Sequence, residues 1–120
     1  MGKGLSFSYM YKDDVMATVS LSDGKVEVVN YSNFPLDLPF PRNVDLTLAD
    51  VIDLFKERCF PETRHNCKEL LKSLGLERYD EFDIVRKTHG LQLEDKYWIR
   101  FKGEENLRYE GIRKEAGLPL

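Results

Sequence analysis

Apolar and polar residues alternate along the first thirty positions of the chain. A period of two is typical of strands that bury one face, so the pattern predicts a meander of three antiparallel strands within residues 1–31. The residues on the predicted buried face are Leu5, Phe7, Tyr9 and Tyr11, then Val15, Ala17, Val19 and Leu21, and finally Val26 and Val28.

The second turn of this meander is predicted from its residue types. Asp23-Gly24 suits a type I′ turn, because both central positions of that turn need a positive φ. Pairing the strands around it sets Leu21 opposite Val26 and Val19 opposite Val28.

The first turn is predicted from the parity of the alternation. Tyr11 and Val15 fall on one face only if the loop between them has an odd number of residues. We therefore expect a three-residue loop, Lys12-Asp13-Asp14, with Asp14 in the left-handed conformation that aspartate tolerates.

Residues 32–46 contain three of the five prolines and can continue neither a sheet nor a helix. Their apolar content is too high for a solvated linker. We expect an ordered, extended crossover that lies along the core through Phe34, Leu36, Leu38 and Phe40.

After residue 46 the apolar residues recur at helical spacing. Thr47 and Asp50 form a capping pattern that predicts a first helix over 48–59, since Pro61 disfavours helix in the residue before it. A second helix is predicted to begin at Pro61 and to continue through 62–74, where Gly75 followed by an apolar residue resembles a Schellman stop. Its apolar stripe comprises Cys67, Leu70, Leu71 and Leu74.

Three further elements complete the prediction. Asp80 and Gly90 bound a third helix over 80–89, and the aromatic and β-branched run 97–101 predicts a strand. A short helix over 104–116 is expected to end at Gly117. The sequence thus predicts a single α+β domain spanning residues 1–120, in which a three-stranded meander and a later strand are covered on one side by the helices over 48–59, 62–74 and 80–89.

Composition and charge restrict the possible functions. The chain has 120 residues, a net charge of -3 and an isoelectric point near 5.4. This balance argues against phosphate binding over the whole surface and against imitation of a nucleic acid. No apolar run approaches the roughly 20 residues of a membrane span, and the first residues lack the apolar segment of a secretory signal, so we expect a cytoplasmic protein without membrane association.

No motif predicts a metal site, a cofactor site or catalysis. Cys59, His65, Cys67 and His89 match no zinc spacing, and the glycines form no phosphate-binding loop. The acidic pairs fall in predicted polar turns, where solvated carboxylates are the rule. We expect a protein that is not an enzyme and that uses no cofactor.

Basic residues around the second predicted helix are candidates for partner binding. Arg64, Lys68 and Lys72 recur at i, i+4 and i+8, which stacks them along one helix face. Arg58 and Arg64 flank Pro61 and extend this patch; the alternative is that these two arginines are structural and pair with Glu94 or Asp95. The face either binds phosphates or carboxylates, or is simply solvated, and the sequence leaves both interpretations open.

The predicted strand 97–101 offers a second candidate surface. Neighbouring strand residues point to opposite sides, so Trp98 and Arg100 share one face while Tyr97 and Ile99 share the other. Tryptophan and arginine are common anchors of protein interfaces. Trp98 is therefore either a partner anchor beside Arg100 or a core residue between sheet and helices.

Three segments carry a resemblance to known proteins: 58–64, 70–76 and 89–99. Their pattern, Arg-x-x-Pro-x-x-Arg followed by Gly-Leu-x-Leu-x-Asp-x-Tyr-Trp-Ile, resembles a small-protein family common on mobile elements of Firmicutes. It is also similar to the leader region ahead of some HipA-like kinases. The likeness covers residues 51–101, and the catalytic machinery of the kinase is absent from the chain, so kinase activity does not carry over.

The resemblance implies an association with mobile elements, whose small proteins include inhibitors of host defence such as anti-CRISPR proteins. We therefore expect a non-catalytic protein that binds a protein partner, with a CRISPR effector nuclease or its guide-RNA complex as the expected target. Two alternatives remain open at this point: a regulatory module that docks onto a HipA-like kinase, and a small nucleic-acid-binding protein.

Overall fold

The computed structural model describes residues 5–34, 37–40 and 45–118. Four strands form one antiparallel sheet in the order β3-β2-β1-β4, which confirms the α+β class and the meander joined by a later strand. The elements are β1 (Leu5–Tyr11), β2 (Asp14–Ser22), β3 (Lys25–Asn30), α1 (Leu48–Glu57), α2 (Cys67–Ser73), α3 (Glu81–Thr88), β4 (Tyr97–Phe101) and α4 (Tyr109–Glu115).

The turn between β2 and β3 has the predicted form. Asp23 and Gly24 have φ values of 52° and 77°, as a type I′ turn requires. Val19 pairs with Val28 in the expected register. Local residue chemistry is therefore sufficient to fix this hairpin.

The turn between β1 and β2 differs from the prediction. Tyr11 pairs with Asp14, so the loop has two residues, and Lys12 rather than Asp14 takes the left-handed conformation, with φ 54°. The strands are brought into phase by a bulge at Met16 instead of by an odd loop.

This bulge changes the face on which Val15 lies. Tyr9 pairs with Ala17, whereas Met10 pairs with Val15, so Val15 lies on the face opposite to Ala17. The expectation that Val15 shares a face with Tyr11 is wrong for this reason.

Helices cover both faces of the sheet, but the second face is buried only near Met10 and Trp98. One face packs against α1 and α3, which lie on the same side as predicted, and the opposite face packs against α4, a helix that the predicted cover did not include. The buried residues of the first cluster are Phe7, Tyr9, Ala17, Val19, Phe40, Val51, Leu54, Phe55, Val85, Ile99 and Phe101. Those of the second are Met10, Trp98, Tyr109 and Ile112.

Helix α2 lies outside the layer that contacts the sheet. It begins at Cys67 instead of following Pro61, because residues 61–66 form successive turns. Its buried residues Cys67 and Leu71 pack against Ile84 of α3 in a third cluster that contains no sheet residue. The Schellman stop is confirmed: Gly75 has φ 76°, and the N–H of residue 76 donates to the carbonyl of Leu71 at 2.9 Å.

The remaining helix boundaries follow their predicted signals with small differences. The backbone N–H of Thr47 donates to the Asp50 carboxylate at 2.7 Å, and Asp80 accepts a capping bond from the N–H of Asp83. Helix α1 ends two residues earlier than predicted. Helix α4 is shorter than the predicted 104–116, since it begins only at Tyr109, and Gly117, with φ 73°, follows its C-terminal cap as predicted.

The crossover is ordered against the core over part of its length. Phe40 is buried in the first cluster, whereas Phe34 is 56% exposed and so does not line the core as expected. The Tyr97 hydroxyl donates to Asp37 at 2.6 Å and ties the crossover to β4. Leu36 and residues 41–44 lie outside the described residues.

A contact between distant parts of the chain provides a first prediction. The Asp13 carboxylate accepts a hydrogen bond from the N–H of Tyr109 at 2.8 Å, and so caps α4 from the β1–β2 turn. We expect Asp13→Ala to lower the free energy of unfolding by about 1 kcal/mol in urea titration, since one helix-capping bond is lost.

The neighbouring Asp14 is the matched control for this prediction. Its side chain is exposed and forms no hydrogen bond with any residue that the structure describes. Asp14→Ala is expected to change the free energy of unfolding by less than about 0.5 kcal/mol. Equal effects of the two substitutions would contradict the capping role of Asp13.

Candidate functional site

Arg58 lies at the C-terminal cap of α1 and is buried, with only 7% of its surface exposed. Arg58 is therefore not the exposed partner anchor that the sequence predicted first. The structure agrees with the alternative prediction, in which Arg58 is structural and pairs with Asp95.

The guanidinium of Arg58 binds the segment that precedes β4. Nη1 and Nη2 each donate to one oxygen of the Asp95 carboxylate at 2.9 Å. Nε donates to the carbonyl of Gly90 at 2.8 Å, and Nη2 also donates to the carbonyl of Tyr97 at 2.7 Å. One side chain thus joins the end of α1 to both ends of the loop 91–96, which we call the clamped loop.

Gly90 is required by this arrangement. Its φ is 66°, and a Cβ added there would lie 3.2 Å from the Cβ of Arg58. Glycine removes both the backbone strain and the crowding. The sequence pattern alone predicts for Gly90 only the end of a helix.

A second buried arginine holds the clamped loop from the opposite side. Arg113 of α4 is 2% exposed, and its Nη1 donates to the carbonyls of Gln92 at 2.9 Å and Asp95 at 3.0 Å. Its guanidinium also lies over the Tyr109 ring. Sequence reasoning missed Arg113. Its neighbour Ile112 indicates a buried helix face, but no local pattern identifies the backbone carbonyls to which Arg113 donates.

The charge of Asp95 is stabilised within this site. Partial burial disfavours the carboxylate, but the hydrogen bonds and charge of Arg58 outweigh it, aided by the N–H of Tyr97, and hold the pKa of Asp95 below its ordinary value. The side chain of Asp95 is 32% exposed, whereas that of Arg58 is 6% exposed. The ion pair therefore faces solvent only through its acidic partner.

The two candidate residues on β4 are not equivalent. Trp98 is fully buried, and its indole N–H donates to the carbonyl of Lys12 at 2.6 Å, so the core interpretation holds and Trp98 is not accessible to a partner. Arg100 is half-buried, and neither it nor Trp98 lies in the cluster that contains Ile99. This agrees with the predicted alternation of the strand.

The three basic residues predicted to form a helical face are all exposed, but they do not share one helix. Arg64 lies in the turns before α2, whereas Lys68 and Lys72 lie on α2 itself. The expected i, i+4, i+8 ladder is therefore wrong, because the helix begins three residues after Arg64.

Arg64 instead borders a groove between the α1–α2 junction and the clamped loop. The groove has a volume of about 600 Å³ and is open to solvent. Its apolar walls include Phe60, Leu70 and Leu91, and its rim carries the exposed Leu93. We call it the junction groove; Arg58 lies at its base and Arg64 at its edge.

Cys59 lines the junction groove, but its thiol is not activated. Burial, with added repulsion from Glu81 and Asp80, raises the pKa of Cys59 to about 12. Cys67 is a buried member of the third cluster, as the sequence analysis preferred. Within residues 5–34, 37–40 and 45–118, no three side chains of histidine, cysteine, aspartate or glutamate converge as metal ligands would. None of the helices in these residues has the length and hydropathy of a membrane span.

Comparisons with known proteins identify no relative of the chain: no family model, no curated protein and no solved structure matches it.

The Arg58–Asp95 pair predicts a defined dependence of stability on pH. The carboxyl pKa of Asp95 is lower in the folded chain than its unfolded value of about 3.9, so the pair stabilises the fold above that value. This stability is lost as the pH falls through the folded-state pKa. We expect Asp95→Asn to lower the free energy of unfolding by about 2 kcal/mol at neutral pH, less than for a fully buried pair.

In urea titrations, the difference between wild type and Asp95→Asn should stay constant from neutral pH to about pH 5 and should then shrink towards about pH 3, as the unfolded chain binds the proton. Glu94→Gln is the control, since Glu94 is an exposed carboxylate in the same loop. A difference that stays constant over this pH range would show that Asp95 does not contribute through its charge.

Proposed function

We propose that the chain is a non-catalytic protein that binds a protein partner through the junction groove. The observation that carries the proposal is Leu93, a large apolar side chain that is 60% exposed on the clamped loop. An exposed leucine beside an apolar groove is typical of a surface that another protein covers.

The clamped loop supports this proposal through its rigidity. It contains no helix or strand, yet Arg58 and Arg113 hold it by charge-assisted hydrogen bonds to Gly90, Gln92 and Asp95. A loop ordered before binding loses less conformational entropy when a partner docks. Leu93 is therefore presented in a fixed position.

Arg64 adds a charge that can select the partner. It is exposed at the edge of the groove, and no carboxylate among the residues that the structure describes lies within 4.0 Å of its guanidinium. A planar guanidinium favours carboxylate or phosphate groups. We propose a partner surface that combines an apolar side chain with an adjacent acidic group.

The finer proposal is that the partner is a CRISPR effector nuclease, so that the chain acts as an anti-CRISPR-type inhibitor. Its support is the resemblance of residues 51–101 to small proteins of mobile elements. The alternative, docking onto a HipA-like kinase, draws on the same resemblance. The segments that carry the resemblance supply Arg58, Gly90, Asp95 and Tyr97, which meet in the structure.

The test compares groove variants with variants on the nearby helix. Leu93→Glu and Arg64→Glu should each weaken partner binding at least about tenfold, as the loss of an interface anchor does. Lys68→Glu and Lys72→Glu should leave it unchanged, because these lysines are exposed on α2 and do not line the groove. The partner is captured from a Firmicutes lysate with the wild-type chain, identified by mass spectrometry, purified and titrated with each variant.

The outcomes separate the proposals. A guide-loaded nuclease whose DNA cleavage is inhibited supports the CRISPR proposal, whereas a HipA-like kinase supports the docking alternative. Binding that is insensitive to both groove variants, or that is lost equally with the lysine variants, contradicts use of the junction groove.

A further inference from the structure

Strand β3 lies at one edge of the sheet, whose order is β3-β2-β1-β4. Its outer side pairs with no strand among the residues that the structure describes. Natural proteins block such edges with prolines, bulges or several charged side chains. β3 has six residues, pairs with β2 without a bulge and contains no proline. The edge is therefore open to pairing with another strand.

The backbone of β3 presents hydrogen-bonding groups along this edge. The N–H of Tyr31 donates to the carbonyl of Met16 on β2 at 2.8 Å. The N–H and C=O of one residue in an antiparallel strand point to the same side, and the side alternates along the strand. The backbone groups of Val26, Val28 and Asn30 therefore point away from β2. No residue that the structure describes forms a hydrogen bond with them on that side.

The side chains at this edge leave apolar surface uncovered on both faces of the sheet. Val29 is 52% exposed, and Tyr31, which directly follows β3, is 63% exposed. Val26 and Val28 lie on the opposite face, where they are only half-buried at the margin of the first cluster. A further strand beside β3 would cover apolar side chains on both faces as well as bond to the free backbone groups.

We propose that β3 pairs in antiparallel orientation with β3 of a second copy of the chain, so that the two sheets become one continuous sheet. Most homodimers have a two-fold axis. An axis perpendicular to the sheet makes the two edge strands antiparallel and keeps the corresponding faces of both copies on the same side. Each copy then supplies the donors and acceptors that the edge of the other copy lacks, which a purely apolar contact cannot do.

The edge is complementary to itself, which favours a second copy over a strand of a different protein. Strand β3 and Tyr31 pair with themselves over their full length only if Val28 lies on the axis. Lys25 then lies opposite Tyr31 of the second copy, and Glu27 lies opposite Val29. No two like charges face each other in this register, and both exposed apolar side chains are covered. The ammonium group of Lys25 meets an aromatic ring, which attracts cations.

Sedimentation velocity of the full chain between about 1 μM and about 1 mM measures whether a dimer forms, and we expect a dimer whose fraction rises with concentration. Val29→Glu puts a second carboxylate opposite Glu27 at two symmetric positions and should weaken dimerisation at least about tenfold. Val29→Lys puts an ammonium group there and should weaken it less than about threefold. Leu48→Glu is the matched control, because Leu48 is an exposed apolar residue on α1 and not on the edge strand.

Amide hydrogen exchange locates the interface. Raising the concentration of the chain should slow the exchange of the N–H groups of Val26, Val28 and Asn30 by about tenfold or more, because these groups become bonded in the dimer. The N–H groups of Lys25 and Val29 point towards β2, so their exchange should change much less. This alternating pattern identifies edge pairing, since packing through a face of the sheet would not distinguish neighbouring amides.

Val28→Pro tests the backbone contact without a change of charge. It removes an N–H that points away from β2, and proline is tolerated at such a position of an edge strand, so the pairing with β2 is kept while the dimer is lost. Far-UV circular dichroism at low concentration shows whether each variant is folded. Val29→Glu tests the edge even if Val28→Pro unfolds the chain.

A chain that stays monomeric over the whole concentration range overturns the proposal. A dimer that Val29→Glu and Val29→Lys weaken equally, or in which the amides of Val26 and Val28 stay unprotected, overturns it as well. A monomer whose edge amides become protected only on addition of a purified protein partner assigns the edge to a strand of that partner instead. Leu93→Glu should leave the dimer intact, because no residue of β3 lines the junction groove, so the two proposals fail independently.

Discussion

The Arg58 guanidinium is the interaction on which the arrangement of the chain after α1 depends. It joins the C-terminal end of α1 to the Asp95 carboxylate and to carbonyls on both sides of the clamped loop. A buried arginine that lost these partners would leave a desolvated charge, which is strongly unfavourable. The position of the loop, the entry into β4 and the base of the junction groove therefore follow from one side chain.

This constraint joins residues that lie far apart in the sequence. Arg58, Gly90, Asp95 and Tyr97 belong to separate segments of the sequence but form one network in the structure. The positions of these four residues in the sequence follow from the contacts that they make in the fold. What the network presents on the surface, notably the exposed Leu93, is the basis of the proposed function.

The sequence predicted the elements whose signals are local and missed those that depend on distant contacts. The turn at Asp23-Gly24 follows from the residue types that a positive φ accepts. The burial of Arg58 has no such local signal: its partner Asp95 lies 37 residues away, and the sequence offered Glu94 and Asp95 only as alternative partners of a structural arginine. The candidate site shows the same division: Arg64 was found by its charge, whereas Leu93 became a candidate only through its exposure on an ordered loop.

The most direct measurement is a double-mutant cycle between Arg58→Met and Asp95→Asn, with unfolding in urea at neutral pH. The account predicts that Arg58→Met lowers the free energy of unfolding by about 3 kcal/mol and that the double variant loses less than the sum of the two single variants. The exposed Arg64→Met should change it by less than about 0.5 kcal/mol. Similar small losses for both arginine variants, or additive effects of Arg58→Met and Asp95→Asn, would contradict the account.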